Sequence, residues 1–255
     1  MADNVHWFDT IDSTSTQLMK DRESLPDRSV YAALYQTAGR GQKGNRWESR
    51  PGENLTFSIL LKPTFLAVTD QFILSQVIAL SLLDYLKGEG VTATIKWPND
   101  IYFGDRKICG TLIEHTLSEG HIATTVAGIG LNLNQKEFDP SIPNPTSLSL
   151  VTGRCYDVKA ELPKLLACID AYYEKLWSPY ARNGFDAFYL DHLYRRGEWH
   201  FFEEMPSSDV PTEHRTGRRI EARILGIDTE ARLLLEHRDG TLHAYGFKEI
   251  KYIVR

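Results

Sequence analysis

The glycine-rich stretch GRGQKGNRW, residues 39–47, lies between two segments of strand composition, and that placement restricts the fold more than any other feature of the chain. YAALYQ (31–36) runs into the loop and NLTFSILL (54–61) leaves it, both rich in apolar and β-forming residues. The loop contains G-x-G-x-x-G (Gly39, Gly41, Gly44). Gly39 and Gly44 also have P-loop spacing, but Asn45 and Arg46 stand where Lys and Ser/Thr belong. A dinucleotide fingerprint requires a helix next, so that the helix N-terminus faces the phosphates. Here NRWESRPGEN and a second strand follow, which excludes that fold. The chemistry of the loop remains. Glycines let backbone N–H groups approach an anion, and Arg40, Lys43, Arg46 and Arg50 against Glu48 make the segment cationic. Trp47 is either a flat face for a ring or the core anchor of a surface turn whose basic residues are merely solvated.

The rest of the chain reads as mixed α and β. Asp12 and Ser13 are N-cap candidates for a short helix, and Thr69–Lys87 predicts a buried helix stopped by Gly88. TATIKW (92–97) is a strand broken at Pro98, IYFGDRKICGTLIEHTL is two strands about Gly104-Asp105, and HIATTVAGIGLNLN (121–134) is a further strand. PNPTSLSLVTG reads as a loop, and helical periodicity covers 158–177 and 183–195. PSSDVPTEHRTG (206–217) reads as a linker or long turn, followed by the short strands RIEARILGI, ARLLLEH and TLHAYGF. The expected organisation is α+β: a mixed-sheet domain over 1–205, then a small β-barrel domain over 206–255.

Charge and cysteine usage narrow the function. With 29 basic against 34 acidic residues, the net charge of −5 disfavours a general nucleic-acid binder, whose affinity comes from a basic surface. Cys109, Cys155 and Cys168 are far apart and odd in number, a reduced pattern rather than a disulfide framework or a metal site. No segment approaches the roughly 18 apolar residues of a membrane span, and the N-terminus has no apolar signal core. The expectation is a soluble, cytoplasmic protein with no resident metal.

A second cluster faces the loop. KWPND (96–100) ends a strand with an aromatic, an amide and a carboxylate, and DRKICG (105–110) brings Lys107 back beside Asp100 across a hairpin. GIGLNLN (128–134) places small residues and Asn132 near another strand end. Taken singly, Asn99 and Asp100 read as turn caps and Lys107 as a surface lysine; together with the cationic loop they describe a nucleotide pocket. Cys109, in the apolar context KICGTL, reads as packing rather than as a nucleophile.

DSTSTQ (12–17), YQTAGRGQKGNRWES (35–49), KWPNDIYFGDRKICG (96–110) and AGIGLNLN (127–134) resemble, in order and spacing, the successive signatures of the biotin protein ligases. The β-rich tail is similar to that family's SH3-like C-terminal domain. The resemblance implies an ATP-dependent ligase. Biotin's carboxylate attacks the α-phosphate of ATP, carried with Mg²⁺, to give biotinyl-5'-AMP and pyrophosphate. A lysine of a biotin carboxyl carrier protein domain, from acetyl-CoA or a related carboxylase, then takes the biotinyl group. It further implies biotin contacts from Ser13, Thr14, Ser15, Gln36, Gly39, Arg40, Gly41, Gln42, Lys107 and Gly110. The nucleotide would be met by Trp47, Arg46, Asn99, Lys107 and Asn132, with Lys107, Arg40 and Asp100 in catalytic roles. Asp100 would orient or help deprotonate the incoming lysine.

Two departures accompany the resemblance. Many members carry further arginines where this chain has Gln42 and Asn45, and no helix-turn-helix module is expected before Asp12, since eleven residues are too few to fold into one. The expectation is an enzyme without a DNA-reading module; a homodimer stays open. The rival readings are a lipoate or octanoyl ligase of the same fold and a non-enzymatic protein that binds biotin or nucleic acid. The hydrogen-bonding set Ser13, Thr14 and Gln36 favours biotin over a plain aliphatic acid.

Overall fold

The computed structural model describes residues 4–178, 184–205 and 217–254, apart from the side chain of Lys43. Strand β1 (Val5–Ile11), helix α1 (Thr14–Asp21) and strand β2 (Val30–Gln36) form a parallel β-α-β unit. The sheet continues antiparallel through β3 (Leu55–Leu61), β7 (His121–Leu131), β6 (Arg106–Ser118), β5 (Asp100–Phe103) and β4 (Thr94–Lys96), giving the order β1-β2-β3-β7-β6-β5-β4. The glycine loop therefore joins antiparallel neighbours, β2 and β3, as a strand-loop-strand reading requires. β1 is absent from the sequence reading because VHWFDTI does not alternate cleanly; its pairing with β2 makes it a strand.

Ser13 caps α1, its hydroxyl accepting from Thr16 N–H. Leu18 of α1 packs fully buried against Leu60 of β3 and Val126 of β7, which fixes the helix on one face of the sheet. The alternate residues of β3 (Leu55, Phe57, Ile59, Leu61) are also buried, so β3 is covered on both sides. Helices α2 (Phe72–Gly88) and α4 (Val158–Lys175) pack on each other and touch β5 and β3 respectively. α2 runs through Gly88, and the left-handed residue beyond its end is Gly90 (φ 84°), two positions later than expected. The expected loop PNPTSLSLVTG contains a short helix, α3 (Leu148–Thr152), capped by Ser147 and stopped by left-handed Gly153. None of the described helices is long and apolar enough to cross a membrane.

The chain divides into compact units Met1–Phe185 and Asp186–Arg255, with α5 (Phe185–Asp191) beginning at the division. The second unit holds β8 (Trp199–Glu204), β9 (Arg218–Ile227), β10 (Leu233–His237), β11 (Leu242–Tyr245) and β12 (Ile250–Tyr252). They form an antiparallel sheet in the order β11-β10-β9-β8-β12. The expected boundary at 205/206 lies later than this division, because β8 pairs with β9 and β12 rather than with the larger sheet. Residues 206–216 of the expected linker, and residue 183 of the expected helix 183–195, lie outside the described residues.

Candidate active site

The centre of the larger sheet is floored by glycine. β6 and β7 pair Gly110 with Gly130, Leu112 with Gly128 and Glu114 with Val126, so the period-two rule puts these six residues on one face. A Cβ on Gly128 would lie 3.5 Å from Ser58 Oγ and 3.6 Å from Ser15 Cβ, so the α1 N-terminus stands over it. A Cβ on Gly130 would collide with the Trp47 indole. One on Gly110 would come within 3.0 Å of Lys107 Nζ and 3.1 Å of the same indole. The result is a trough, with α1 at one end and Trp47 and Lys107 at the other.

The α1 end is lined with hydroxyls that bond to one another. Thr14 N–H and Oγ1–H both reach Gln36 Oε1, at 2.8 and 3.1 Å. Because a backbone N–H needs an acceptor, this fixes the orientation of the Gln36 amide and leaves its Nε2 as the donating group. Thr14 Oγ1 also lies 2.8 Å from Ser58 Oγ, and Ser13 Oγ lies 3.1 Å from Ser15 Oγ. Ser13, Thr14, Ser15 and Ser58 are all buried, so a neutral polar head group would find fixed partners here at little desolvation cost.

The other end is charged. Lys107 Nζ lies 2.7 Å from Asp100 Oδ1, the juxtaposition expected across the β5–β6 hairpin, and 5.8 Å from the centre of the Trp47 ring. The backbone of Lys107 is pinned by Asn144 O (2.8 Å) and by Thr146 N–H (2.9 Å). Beneath it Cys109 is fully buried, and burial pushes its thiol well above the ordinary range, which fits packing rather than nucleophilic chemistry. The two asparagines are engaged structurally. Asn99 donates its side-chain amide to Thr111 O, and Asn132 donates to Thr146 O at 2.9 Å.

The glycine loop folds back on itself. Trp47 N–H bonds Gly39 O at 2.9 Å, Gly41 N–H bonds Asn45 O at 2.8 Å, and Arg40 and Arg46 form an isolated bridge. A Cβ on Gly39 would strike Trp47 O, and Gly44 has φ 89°, so these glycines serve a tight hairpin as well as any ligand. Arg46 donates to Thr37 O at 3.3 Å, back towards β2. Arg40 is bound bidentately by Glu114 on β6, at 2.6 and 2.9 Å. The buried Gln42 Oε1 and Trp47 Nε1 have no hydrogen-bond partner among the described residues. A buried acceptor and a buried donor in one loop above the trough are unsatisfied groups that a ligand would satisfy.

The structure thus brings Ser13, Thr14, Ser15 and Gln36 together at one end, and Trp47, Lys107, Asp100 and Gly110 at the other. Ser58 and Glu114 escaped the sequence reading. Period two was the available signal: Ser58 shares a β3 face with Thr56, and Glu114 shares a β6 face with Gly110.

A model of the biotin/lipoate A/B protein ligase family matches residues 7–132. The chain is 30% identical over 256 residues to the bifunctional ligase/repressor BirA of Salmonella typhimurium, spanning 97% of this chain and 73% of that protein. It is 29% identical over 250 residues to the protein of the same name from Bacillus spizizenii, spanning 96% of this chain and 73% of that protein. The solved biotin protein ligase of Aquifex aeolicus, in complex with biotin and ATP, superimposes with a TM-score of 0.78 at 25% identity over 99% of both chains. Sequence motifs, sheet order and these likenesses agree: the chain belongs to the biotin/lipoate A/B protein ligase family, among its biotin protein ligases.

Proposed function

We propose that this chain couples biotin to ATP, forming biotinyl-5'-AMP and pyrophosphate, and then transfers the biotinyl group to one lysine of a carrier domain. The observation that supports it best is the trough: a neutral hydrogen-bonding end at α1 and a Lys107–Asp100 pair at the other, joined by the glycine-floored strip of β6 and β7.

In this reading Ser13, Thr14, Ser15 and Gln36, with Ser58 behind them, meet the ureido ring. Lys107 neutralises the carboxylate as its oxygen attacks the α-phosphorus and pyrophosphate leaves; bringing two anions together demands such a charge. In the second step a carrier amine attacks the acyl carbon, AMP departs, and Asp100 orients the amine or accepts its proton. Mg²⁺ is assigned to the phosphates of ATP, with which it travels. The C-terminal unit is assigned to positioning ATP or the carrier, and the modified protein to a carrier domain of acetyl-CoA or a related carboxylase.

The test is pyrophosphate release with ATP, Mg²⁺ and either biotin or lipoate, followed by labelling of a carrier domain and of its acceptor-lysine-to-arginine variant. Biotin-dependent release with labelling confined to the intact carrier is expected. Release that depends on lipoate and not on biotin would move the chain to the rival lipoate ligases.

A further inference from the structure

We infer that Glu114 is a positioning residue that holds the glycine loop across the trough by gripping Arg40, and thereby sets how long the acyl-adenylate is retained. This rests on the proposed function for its substrate but not for its geometry. The loop leaves β2, and Glu114 lies on β6, three strand spacings away in the order β2-β3-β7-β6, or about 14 Å. Arg40 bridges that gap and is tied bidentately to Glu114, the planar geometry that makes guanidinium–carboxylate pairs directional. Seven residues later Trp47 rests on Gly130 and Gly110. The loop is thus fastened at two points, by an ion pair at one and an indole in a glycine slot at the other.

Glu114 lies four residues along β6 from Gly110, about 13 Å, and on the same face. Its contact with Arg40 is therefore remote from the Lys107 end, where the bonds form and break. Both side chains are partly solvated, at 42% and 29% exposure, so the grip is of moderate strength and suits a fastening that must release.

The test uses the full chain. In Glu114→Gln the dissociation rate of preformed biotinyl-AMP should rise about fivefold, read by quench-flow chase and by labelling of a bystander protein. Glu114→Asp should recover part of that loss. Arg40→Gln should match Glu114→Gln, and the double variant should be no worse than either single variant. Multiplying effects in the double variant, or a dissociation rate in Glu114→Gln within 1.5-fold of wild type, overturns the assignment, whatever happens to thermal stability. A second readout needs no chemistry: trypsin should cut at Arg46 faster in Glu114→Gln than in wild type without any substrate. Equal cleavage also overturns the inference. If wild type makes no adenylate, the functional reading fails by itself, and the cleavage rates still decide the role of Glu114.

Discussion

The two ends of the trough are built on opposite principles. At the α1 end, four hydroxyls and one amide satisfy one another. At the far end an ion pair sits beside an indole whose N–H has no partner among the described residues. Pre-satisfied neutral groups give up little when a neutral ligand replaces one partner by another, so that end suits recognition. An exchangeable charge pair can turn from its internal partner to an anion as charge builds, so that end suits catalysis. The difference teaches where substitutions should divide: affinity on one side, rate on the other.

The largest effect is expected at the charged end. Lys107→Ala should slow adenylate formation on the order of 10²-fold or more, since it removes a charge placed for the reacting anions and leaves Asp100 without its Lys107 partner. The measurement is a single-turnover adenylation rate beside calorimetric biotin affinity. A rate within threefold of wild type would return Lys107 to a structural partner of Asp100. An affinity loss as large as the rate loss would erase the distinction between the ends.

Gly130→Ala comes next and attacks the join between the two ends. The added methyl must displace the Trp47 indole, and overpacking of this kind costs about 1–3 kcal/mol. Expressed as ligand affinity, the loss should be about tenfold or more, with a changed tryptophan emission spectrum. An unchanged spectrum together with unchanged affinity would mean that the indole does not need the bare backbone.

Ser58→Ala probes the hydroxyl end and should do less. It removes the buried partner of Thr14 Oγ1, a loss of about 1 kcal/mol, or roughly fivefold in biotin affinity, with KM for ATP unmoved. Equal shifts in both constants would show that the hydroxyl set does not belong to one substrate.

The same contrast explains what the sequence discloses. Ser13, Gln36, Lys107 and Asp100 stand in short quotable stretches, and the hairpin turn at Gly104 is enough to bring the last two together. Ser58 and Glu114 lie inside apolar strands, NLTFSILL and ICGTLIEH, where a polar residue reads as an interruption. Only the register of β3, β7 and β6 shows which face they share. β1, β8 and β12 stayed hidden for a related reason. Their residues do not alternate cleanly or are few, and they become strands through pairing, β1 with β2, β8 with β9 and β12 with β8, rather than through local propensity. The short helix α3 was masked by the prolines before it, although Ser147 and Gly153 are ordinary cap residues.

The smallest effect concerns how firmly the recognition end is held. α1 is tied to β2 at its far end by Asp21, whose Oδ2 accepts from Gln17 Nε2 at 3.0 Å and from Tyr31 Oη at 2.8 Å. Those bonds, Gln17 first and Tyr31 second, hold the Asp21 carboxyl below its ordinary 3.8. Tyr31 is in turn pushed up to about 12, by burial first and then by Asp21. The signs follow from which form the fold favours. A lowered carboxyl contributes stability above its unfolded pKa and loses it as pH falls through the folded value. A raised phenol contributes below its unfolded pKa, near 10, and loses it as pH rises towards 12. Asp21→Asn should therefore lower Tm slightly between about pH 5 and 9, and the gap to wild type should close as pH falls below 3.8. Biotin affinity should weaken in step with Tm while the adenylation rate at saturating substrate holds, because the tie supports the hydroxyl end alone. A Tm gap that persists unchanged at pH 2.5 would mean that the carboxylate charge contributes nothing. A loss of adenylation rate at saturating biotin would mean that α1 supports both ends of the trough.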